Sequence, residues 1–597
     1  MSILETINNC NDIKKLNIKE LNELSNELRQ LIIETTRSNG GHLASNLGTV
    51  DLTLALFYVF DFDKDKIIFD VGHQSYAYKI LTDRFKSFFT LRKEGGISGF
   101  PDSIESKYDA FSSGHAGTSI SASLGYCFSR DYLNQNYYVV NMVGDASFFN
   151  GENLEAITYS DNKPNKFIVV FNDNGMSIDK NTNAFYKIVS KVTTTKKYNS
   201  FNNFLGRCLG KTIVGKMLMR FKLFLKRSLT LNTFIDSLGL KYVGVFDGHD
   251  IKTLIKILNN VKQSESATFL HIKTKKGKGL SEAEENSSKF HGVKANLETS
   301  NNYFSNSVSQ ILCNLKEAEP NIVAITAGMK DGVGLTDFAT KYENSFVDVG
   351  IAEECAITLA GGIAKGGLKP IVFMYSTFMQ RGYDQMLHDI CLQNLPVIVC
   401  IDRAGFVGSD GKTHQGLFDL SFLSHLPNLT IIAPKNVQEL EESLKVALLL
   451  NSPVCIRYPN GEKIDDKTAQ TFNESLSWEY VKKGEKNAIL AVGPRMNDLA
   501  LKVFNKVNNV TVINARTIKP LDKKTLLEIQ NYNVITLEEN VKIGGFGSLV
   551  VNFYKENGLN TNVNVLAVND EFISHATIDR QLELNGFTVE NVIKLLK

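Results

Sequence analysis

Asp145 and Asn174 are residues of the type, and in the setting, that could hold a small cation. Asp145 follows the apolar run Tyr137 to Val143, and Asn174 follows a second run, Phe167 to Phe171, with a polar-capped helical stretch at about 150–160 between them. A strand, a crossover helix and a parallel strand bring both residues to the same sheet edge, where open α/β sheets bind ligands. A carboxylate with an amide oxygen suits Mg²⁺, which takes few protein ligands and completes its shell with water and phosphate oxygens. Spacing alone leaves a second reading open, two polar loops after two core strands.

Other residues of the same chemical kind lie along the chain. Gly-His dipeptides at 41–42, 72–73 and 114–115 each precede a helical stretch, the last two at strand–helix junctions. The pattern predicts imidazoles and free helix N–H groups around one crevice, which favours anions such as phosphate. A lone histidine at such a place is more often a structural hydrogen-bonder; three in one domain carry the functional reading. Glu353 opens a helix of small residues in FVDVGIAEECAITLAGGIAKGG, where a glutamate by itself reads as a cap or a surface residue. Arg403 and Arg457 stand near the ends of two strands, and two guanidinium groups there suit a bidentately held phosphate. The stretch from Asp402 to Gly416, with Asp410 and His414, is too long for a connector and too polar for core.

Alternating strands and helices must position these residues. Residues 17–37 form an amphipathic helix with Leu21, Leu24, Leu28, Leu31 and Ile32 on its apolar face. Strands are predicted at Ile67–Val71, in LGLKYVGVFDGHD, in FLHIKTKKGKG, at Pro370–Met374, in PVIVCID and in VCIRYPNG. Four further apolar runs, NAILAVG, VTVINA, NVITLEE and VNVLAV, alternate with helical stretches near the carboxyl end. The fold class is therefore α/β, with mainly parallel sheets in three domains at about 1–300, 301–480 and 481–597. The third carries no catalytic cluster. Its GGFGSLV resembles a phosphate loop only weakly, so structural or dimer-supporting duty is expected there.

Composition narrows the class. A chain of 597 residues with 43% hydrophobic and 22% charged residues is an ordinary globular protein of about two to four domains. A net charge of +2 gives no reason to expect nucleic acid. Eight scattered cysteines form no CxxC pair and suit a reducing compartment. No apolar run approaches the ~18 residues of a membrane span, and the start lacks a signal-peptide layout, so a cytoplasmic location is expected. Between Lys180 and Ile235 there is no acidic residue, and basic residues alternate with apolar ones from Arg207 to Arg227. That segment reads as a helix or mobile loop over the site, with membrane-surface binding as the alternative.

The segments GGHLASNLGTVDLTLAL, DVGHQSYAYKILT, GHAGTSISASLG, NDNGMSI and FDGHD together resemble the 1-deoxy-D-xylulose-5-phosphate synthase family of the transketolase superfamily. The resemblance implies a transketolase-like thiamine diphosphate-binding fold and a homodimer. It also implies condensation of pyruvate with D-glyceraldehyde 3-phosphate, at the head of the non-mevalonate isoprenoid route. Transketolase-type ketol transfer and a non-catalytic paralogue are the alternatives.

By the same resemblance, Asp145, Asn174 and the Met176 carbonyl hold Mg²⁺, and Ala146 and Ser147 touch the diphosphate. His73, Gly114, His115, Ala116 and Phe290 contact the cofactor, and His42 lies on the substrate side. Glu353 hydrogen-bonds the aminopyrimidine, on which Phe378 stacks. Tyr375 and Arg381 approach the substrate, Arg403 and Arg457 grip its phosphate, and Asp410 and His414 serve its hydroxyl and carbonyl groups. Ala146, Ala116 and Asn460 depart from the family's usual glycine, serine and arginine.

Overall fold

The apolar runs build three sheets in the protein's structure, a computed structural model that describes residues 2–159, 163–175, 231–264, 266–295, 303–461 and 472–596. The first contains β1 (Lys66–Phe69), β2 (Val139–Gly144), β3 (Phe167–Asp173), β4 (Lys241–Asp247) and β5 (Thr268–Lys273). These strands lie in the order β1-β2-β3-β5-β4, all parallel. Covering on both faces requires apolar residues throughout, and β3 is buried from Phe167 to Asn172. Successive residues point to opposite faces. Ile168 and Val170 pack with helices α1 (Ile18–Asn39) and α2 (Leu43–Val59), while Phe167, Val169 and Phe171 pack with α3 (Ser119–Tyr132) and α4 (Gly151–Thr158).

Local signals explain where these helices begin. The Asn17 side chain accepts from Lys19 and Glu20 N–H, and Glu20 answers on the Asn17 N–H, so α1 starts with a capping box. Asn150 caps α4 by accepting from Glu152 N–H at 3.2 Å. The βαβ unit expected around Asp145 is present, with Gly144 of β2 in register with Asn172 of β3.

The second sheet contains β6 (Ile322–Thr326), β7 (Phe346–Asp348), β8 (Lys369–Tyr375), β9 (Ile398–Asp402), β10 (Thr430–Ile432) and β11 (Val454–Arg457). The third contains β12 (Glu479–Lys482), β13 (Asn487–Ala491), β14 (Thr511–Asn514), β16 (Asn533–Val541) and β17 (Val563–Val568). Between β14 and β16, strand β15 (Thr517–Lys519) leaves the third sheet and pairs antiparallel with β10 of the second. The two sheets thus share chain, and one core runs from Phe304 through Ile401 to Ala488 and Val534.

The chain folds as two compact units: Met1–Leu91 with Ile97–Leu297, and Arg92–Gly96 with Glu298–Lys597. The second unit includes helix α5 (Tyr303–Ala318), and its helices α6 (Glu353–Lys365), α7 (Phe546–Glu556) and α8 (Ile578–Leu584) bear on the site. Among the described residues no helix is long and apolar enough to cross a membrane. Met176 and residues 180–230 of the basic segment lie outside the described residues.

Candidate active site

In the first unit, the carboxyl ends of β2 and β3 bring the expected cation ligands together. Asp145 is 1% exposed; its Oδ1 accepts the Ala146 N–H at 3.0 Å and its Oδ2 the Gly175 N–H at 2.9 Å, so it touches the turn that carries Asn174. Burial and the neighbouring Asp173 push the Asp145 carboxyl up, and Lys276 pulls it partway back. A buried carboxylate crowded by another favours an added cation. Beside it Ser147 is buried, and a Cβ built on Gly144 would meet no atom of the described residues within 4 Å, which leaves backbone open to a phosphate-sized group. The residues present therefore fit a Mg²⁺–diphosphate group.

The sequence suggested free N–H groups at the helix starts after the three Gly-His dipeptides, and several of those groups have internal acceptors instead. Asp70 accepts from Gly117 N–H at 3.0 Å and from Ser119 N–H at 3.3 Å, and Asn153 from Ile120 N–H at 3.2 Å. Ala44 N–H donates to the Phe290 carbonyl at 2.9 Å, and Tyr76 N–H to Asn46 Oδ1 at 2.7 Å. Each first turn has found an internal acceptor, because its N–H groups are recessed and must be satisfied. Gly114-His115 also lies in a loop, with no strand running into it among the described residues.

What does converge is imidazole. The rings of His42 and His73 lie 5.7 Å apart, centroid to centroid, and His291 lies 5.5 Å from the first and 5.4 Å from the second. Burial holds His73 and His291 well below the usual histidine range, and His73 Nδ1 is buried with no hydrogen-bond partner among the described residues. Neutral rings with an orphaned polar atom suit a bound group that brings its own partner. His115 stands half-buried and is not part of this ring cluster. Reading the sequence missed His291. It sits beside Phe290, whose carbonyl anchors the start of α2, and an FHG triplet in a polar loop carries no spacing signal of its own.

The second unit gathers the other expected residues. Glu353, the first residue of α6, is 3% exposed, and burial raises its carboxyl to about 7, with Arg381 lowering it. Arg381 Nη1 lies 3.6 Å from Glu353 Oε2, which has no hydrogen-bond partner among the described residues. A buried acid with an unused oxygen is what a nitrogen heterocycle would need. Glu354 stands half-exposed next door. Tyr375 and Phe378 stack with centroids 5.8 Å apart, and the Arg403 guanidinium lies 3.8 Å above the Tyr375 ring. Arg403 reaches that ring from a positive φ of 59°, a rare conformation for a side-chain-bearing residue.

Asp410 and His414 stand on and just after a 3₁₀ turn, Gly408–Thr413. Burial drives His414 down to about 4, with Arg403 and Arg92 lowering it and Asp410 raising it, so its ring is neutral near pH 7. Its Nδ1 lies 2.8 Å from Thr413 Oγ1, and its ring meets Phe378 edge-on at 5.7 Å. Arg92 Nη2 lies 2.9 Å from Asp410 Oδ1 and donates to Ser409 Oγ at 2.7 Å. This partner stands 317 positions from Ser409, and nothing in the sequence pointed to it.

Arg457 corrects an expectation. Its Nε and Nη2 grip Asp419 at 2.7 and 3.1 Å, and Nη2 also donates to the Glu539 carbonyl at 3.2 Å. That buried pair commits the fork, so Arg457 is not the second half of a phosphate clamp with Arg403. Its position at a strand end was legible; the side to which it points was not. The GGFGSLV turn is likewise filled from within, since Glu538 accepts from Phe546 and Gly547 N–H at 2.6 and 2.7 Å at the start of α7.

Three family models match the chain: 1-deoxy-D-xylulose-5-phosphate synthase over residues 4–274, the transketolase pyrimidine-binding domain over 303–463, and the transketolase C-terminal domain over 476–592. The 1-deoxy-D-xylulose-5-phosphate synthase of Clostridium tetani is 43% identical over 100% of this chain and 99% of its own length. The protein of that name from Carboxydothermus hydrogenoformans is 44% identical over 99% of this chain and 98% of its own. A solved transketolase from Campylobacter jejuni aligns over 97% of this chain and 99% of its own at 16% identity, with a TM-score of 0.43. On its full-length likeness to these relatives, the chain belongs to the 1-deoxy-D-xylulose-5-phosphate synthase family.

Proposed function

We propose that this chain condenses pyruvate with D-glyceraldehyde 3-phosphate, releasing CO₂ and giving 1-deoxy-D-xylulose 5-phosphate. This is the first step toward isoprenoid precursors by the non-mevalonate route, and it also feeds thiamine and pyridoxal synthesis. The observation that carries the reading is Glu353: a buried acid, held at about 7, with an unused oxygen, in the stretch matched by the pyrimidine-binding family. Thiamine diphosphate, when bound, supplies the electron sink for decarboxylation and carbon–carbon bond formation.

The chain's own residues supply positioning and proton control. Asp145 and Asn174, with the Met176 carbonyl, would hold Mg²⁺, and Ala146, Ser147 and the Gly114-His115-Ala116 segment would serve the diphosphate. His73 and Phe290 would contact the cofactor, and Phe378 would lie against its aminopyrimidine. Glu353 would share a proton with a ring nitrogen, a role suited to an acid whose pKa lies near the working pH. Arg403, fixed over Tyr375, anchors the phosphate of the aldehyde. Neutral His414, with Asp410 and Arg381, addresses carbonyl and hydroxyl oxygens, and His42, with His291 beside it, is assigned to the substrate side of the cofactor.

In this reading the chain has a diphosphate domain, an aminopyrimidine domain and a C-terminal domain, works in the cytoplasm and forms a homodimer. An exposed aromatic face supports the dimer: Phe128, Tyr132 and Tyr159 are 73%, 78% and 84% exposed on and beside α3 and α4. A donor panel tests the reaction. Purified protein with thiamine diphosphate and Mg²⁺ should consume pyruvate with glyceraldehyde 3-phosphate and leave ketose phosphate donors untouched. Turnover of ketose phosphates in place of pyruvate would assign the chain to ketol transfer instead.

A further inference from the structure

The stretch 403–416 carries Arg403, Asp410 and His414, and a two-way backbone pair between Gly405 and Gly416 closes its base. Gly405, Gly408 and Gly411 all have positive φ, and glycine backbone is costly to fix. Arg92 holds Ser409 and Asp410 from one side, and further groups that hold the loop come from the carboxyl-terminal part of the chain. Gln581, on α8, is 1% exposed. Its Oε1 accepts the Gly408 N–H at 3.1 Å while its Nε2 donates to the Gly408 carbonyl at 3.1 Å. The same Nε2 donates to the Ser574 carbonyl at 2.8 Å. One carboxamide thus satisfies both backbone groups of Gly408, as a neighbouring strand would.

The other end of the loop is tied to the same segment. Gln415 Oε1 accepts the Val407 N–H at 2.9 Å, and its Nε2 donates to the Ile573 carbonyl at 3.3 Å. Phe406 and Leu417 are buried in the core of the third sheet, with Ile489 and Leu537. A Cβ on Gly408 would lie 3.3 Å from Ile578 Cγ1, and one on Gly411 3.1 Å from His575 Cβ, so the loop lies backbone-close against residues 575–578. The turn that bears Asp410 and leads to His414 begins at the clamped residue, Gly408.

We propose that Gln581 is a positioning residue for the acceptor half of the reaction. Through Gly408 it sets where Asp410 and His414 stand, and this gives the C-terminal region a share in substrate selection. The inference rests on the pyruvate–aldehyde reading above. An apolar residue of equal length would fill the same space; only the amide holds the Gly408 N–H and carbonyl at once, and leaving such buried groups unpaired is unfavourable.

Two substitutions separate positioning from filling. Gln581→Met keeps the volume and loses the hydrogen bonds. Gln581→Glu keeps an acceptor but turns a second one toward the Gly408 and Ser574 carbonyls. Steady-state kinetics should give a KM for glyceraldehyde 3-phosphate raised about tenfold in Gln581→Met, and further in Gln581→Glu. The KM for pyruvate and the affinity for thiamine diphosphate should stay within about twofold of wild type. Gln415→Met, which cuts the other tie, should raise the same KM and keeps the test open if the Gln581 variants do not fold. An unchanged aldehyde KM, or equal changes in both KM values, overturns the proposal. Wild-type protein that does not turn over pyruvate with the aldehyde overturns the underlying reading instead.

Discussion

At the scale of single residues, Glu353 concentrates the chemistry. Its carboxyl lies at about 7 against an ordinary 4.5, and burial is the main cause. An acid raised on folding contributes stability that is fully present below about 4.5 and is lost as pH rises through about 7. The two values imply roughly 3 kcal/mol of pH-dependent stability. Glu353→Gln removes that dependence. The cofactor-free variant should melt above wild type at pH 8.5, with the gap closing toward pH 5; a gap of constant size across that range would refute the assigned environment. Asp145 is raised for a related reason, burial beside Asp173. In Asp145→Asn, calorimetric titration of thiamine diphosphate with Mg²⁺ should match that of chelator-treated wild type. Tight binding that still responds to Mg²⁺ would place the cation elsewhere.

At the scale of elements, the site depends on close backbone approaches. A Cβ on Gly332 would lie 1.9 Å from Tyr375 Oη, so any side chain there must displace the ring on which Arg403 rests. Gly332→Ala should cost about 1–3 kcal/mol by overpacking, read as a lower melting temperature, with a raised KM for the aldehyde; unaltered kinetics would remove Tyr375 from the substrate's surroundings. Much at this scale was legible in the sequence. The apolar run Phe167 to Phe171, the leucine spacing over residues 17–37 and the polar cap at Asn150 are local signals, and they located β3, α1 and α4. Facing and partnership were not legible. Asp70 fills the start of α3 from 47 positions away in sequence, Asp419 occupies Arg457, and Gln581 reaches Gly408 across 173 positions. Such pairings follow from tertiary packing, which leaves no local periodicity to read. The Gly-His dipeptides illustrate both sides: His42 and His73 do meet, but the nearby Ala44 and Tyr76 N–H groups already have internal acceptors.

At the scale of the whole molecule, each of the two compact units carries its own cluster, Asp145 with the imidazoles in the first and Glu353 with Arg403 in the second, and the C-terminal region braces the loop of the second. The aromatic face of Phe128, Tyr132 and Tyr159 belongs to the dimer in this account. Sedimentation of a Phe128→Asp, Tyr132→Asp double variant should give a monomer where wild type gives a dimer; an unchanged sedimentation coefficient would move the interface elsewhere. The central claim is that Glu353 drives decarboxylative joining of pyruvate to the aldehyde. Its most direct test is a single-turnover measurement with pyruvate labelled at the carboxyl carbon, in the presence of thiamine diphosphate, Mg²⁺ and glyceraldehyde 3-phosphate. The account predicts labelled CO₂ released in step with 1-deoxy-D-xylulose 5-phosphate, and a rate at least about 10²-fold lower in Glu353→Gln. Release of label without the pentulose phosphate, or an equal rate in the variant, would contradict it.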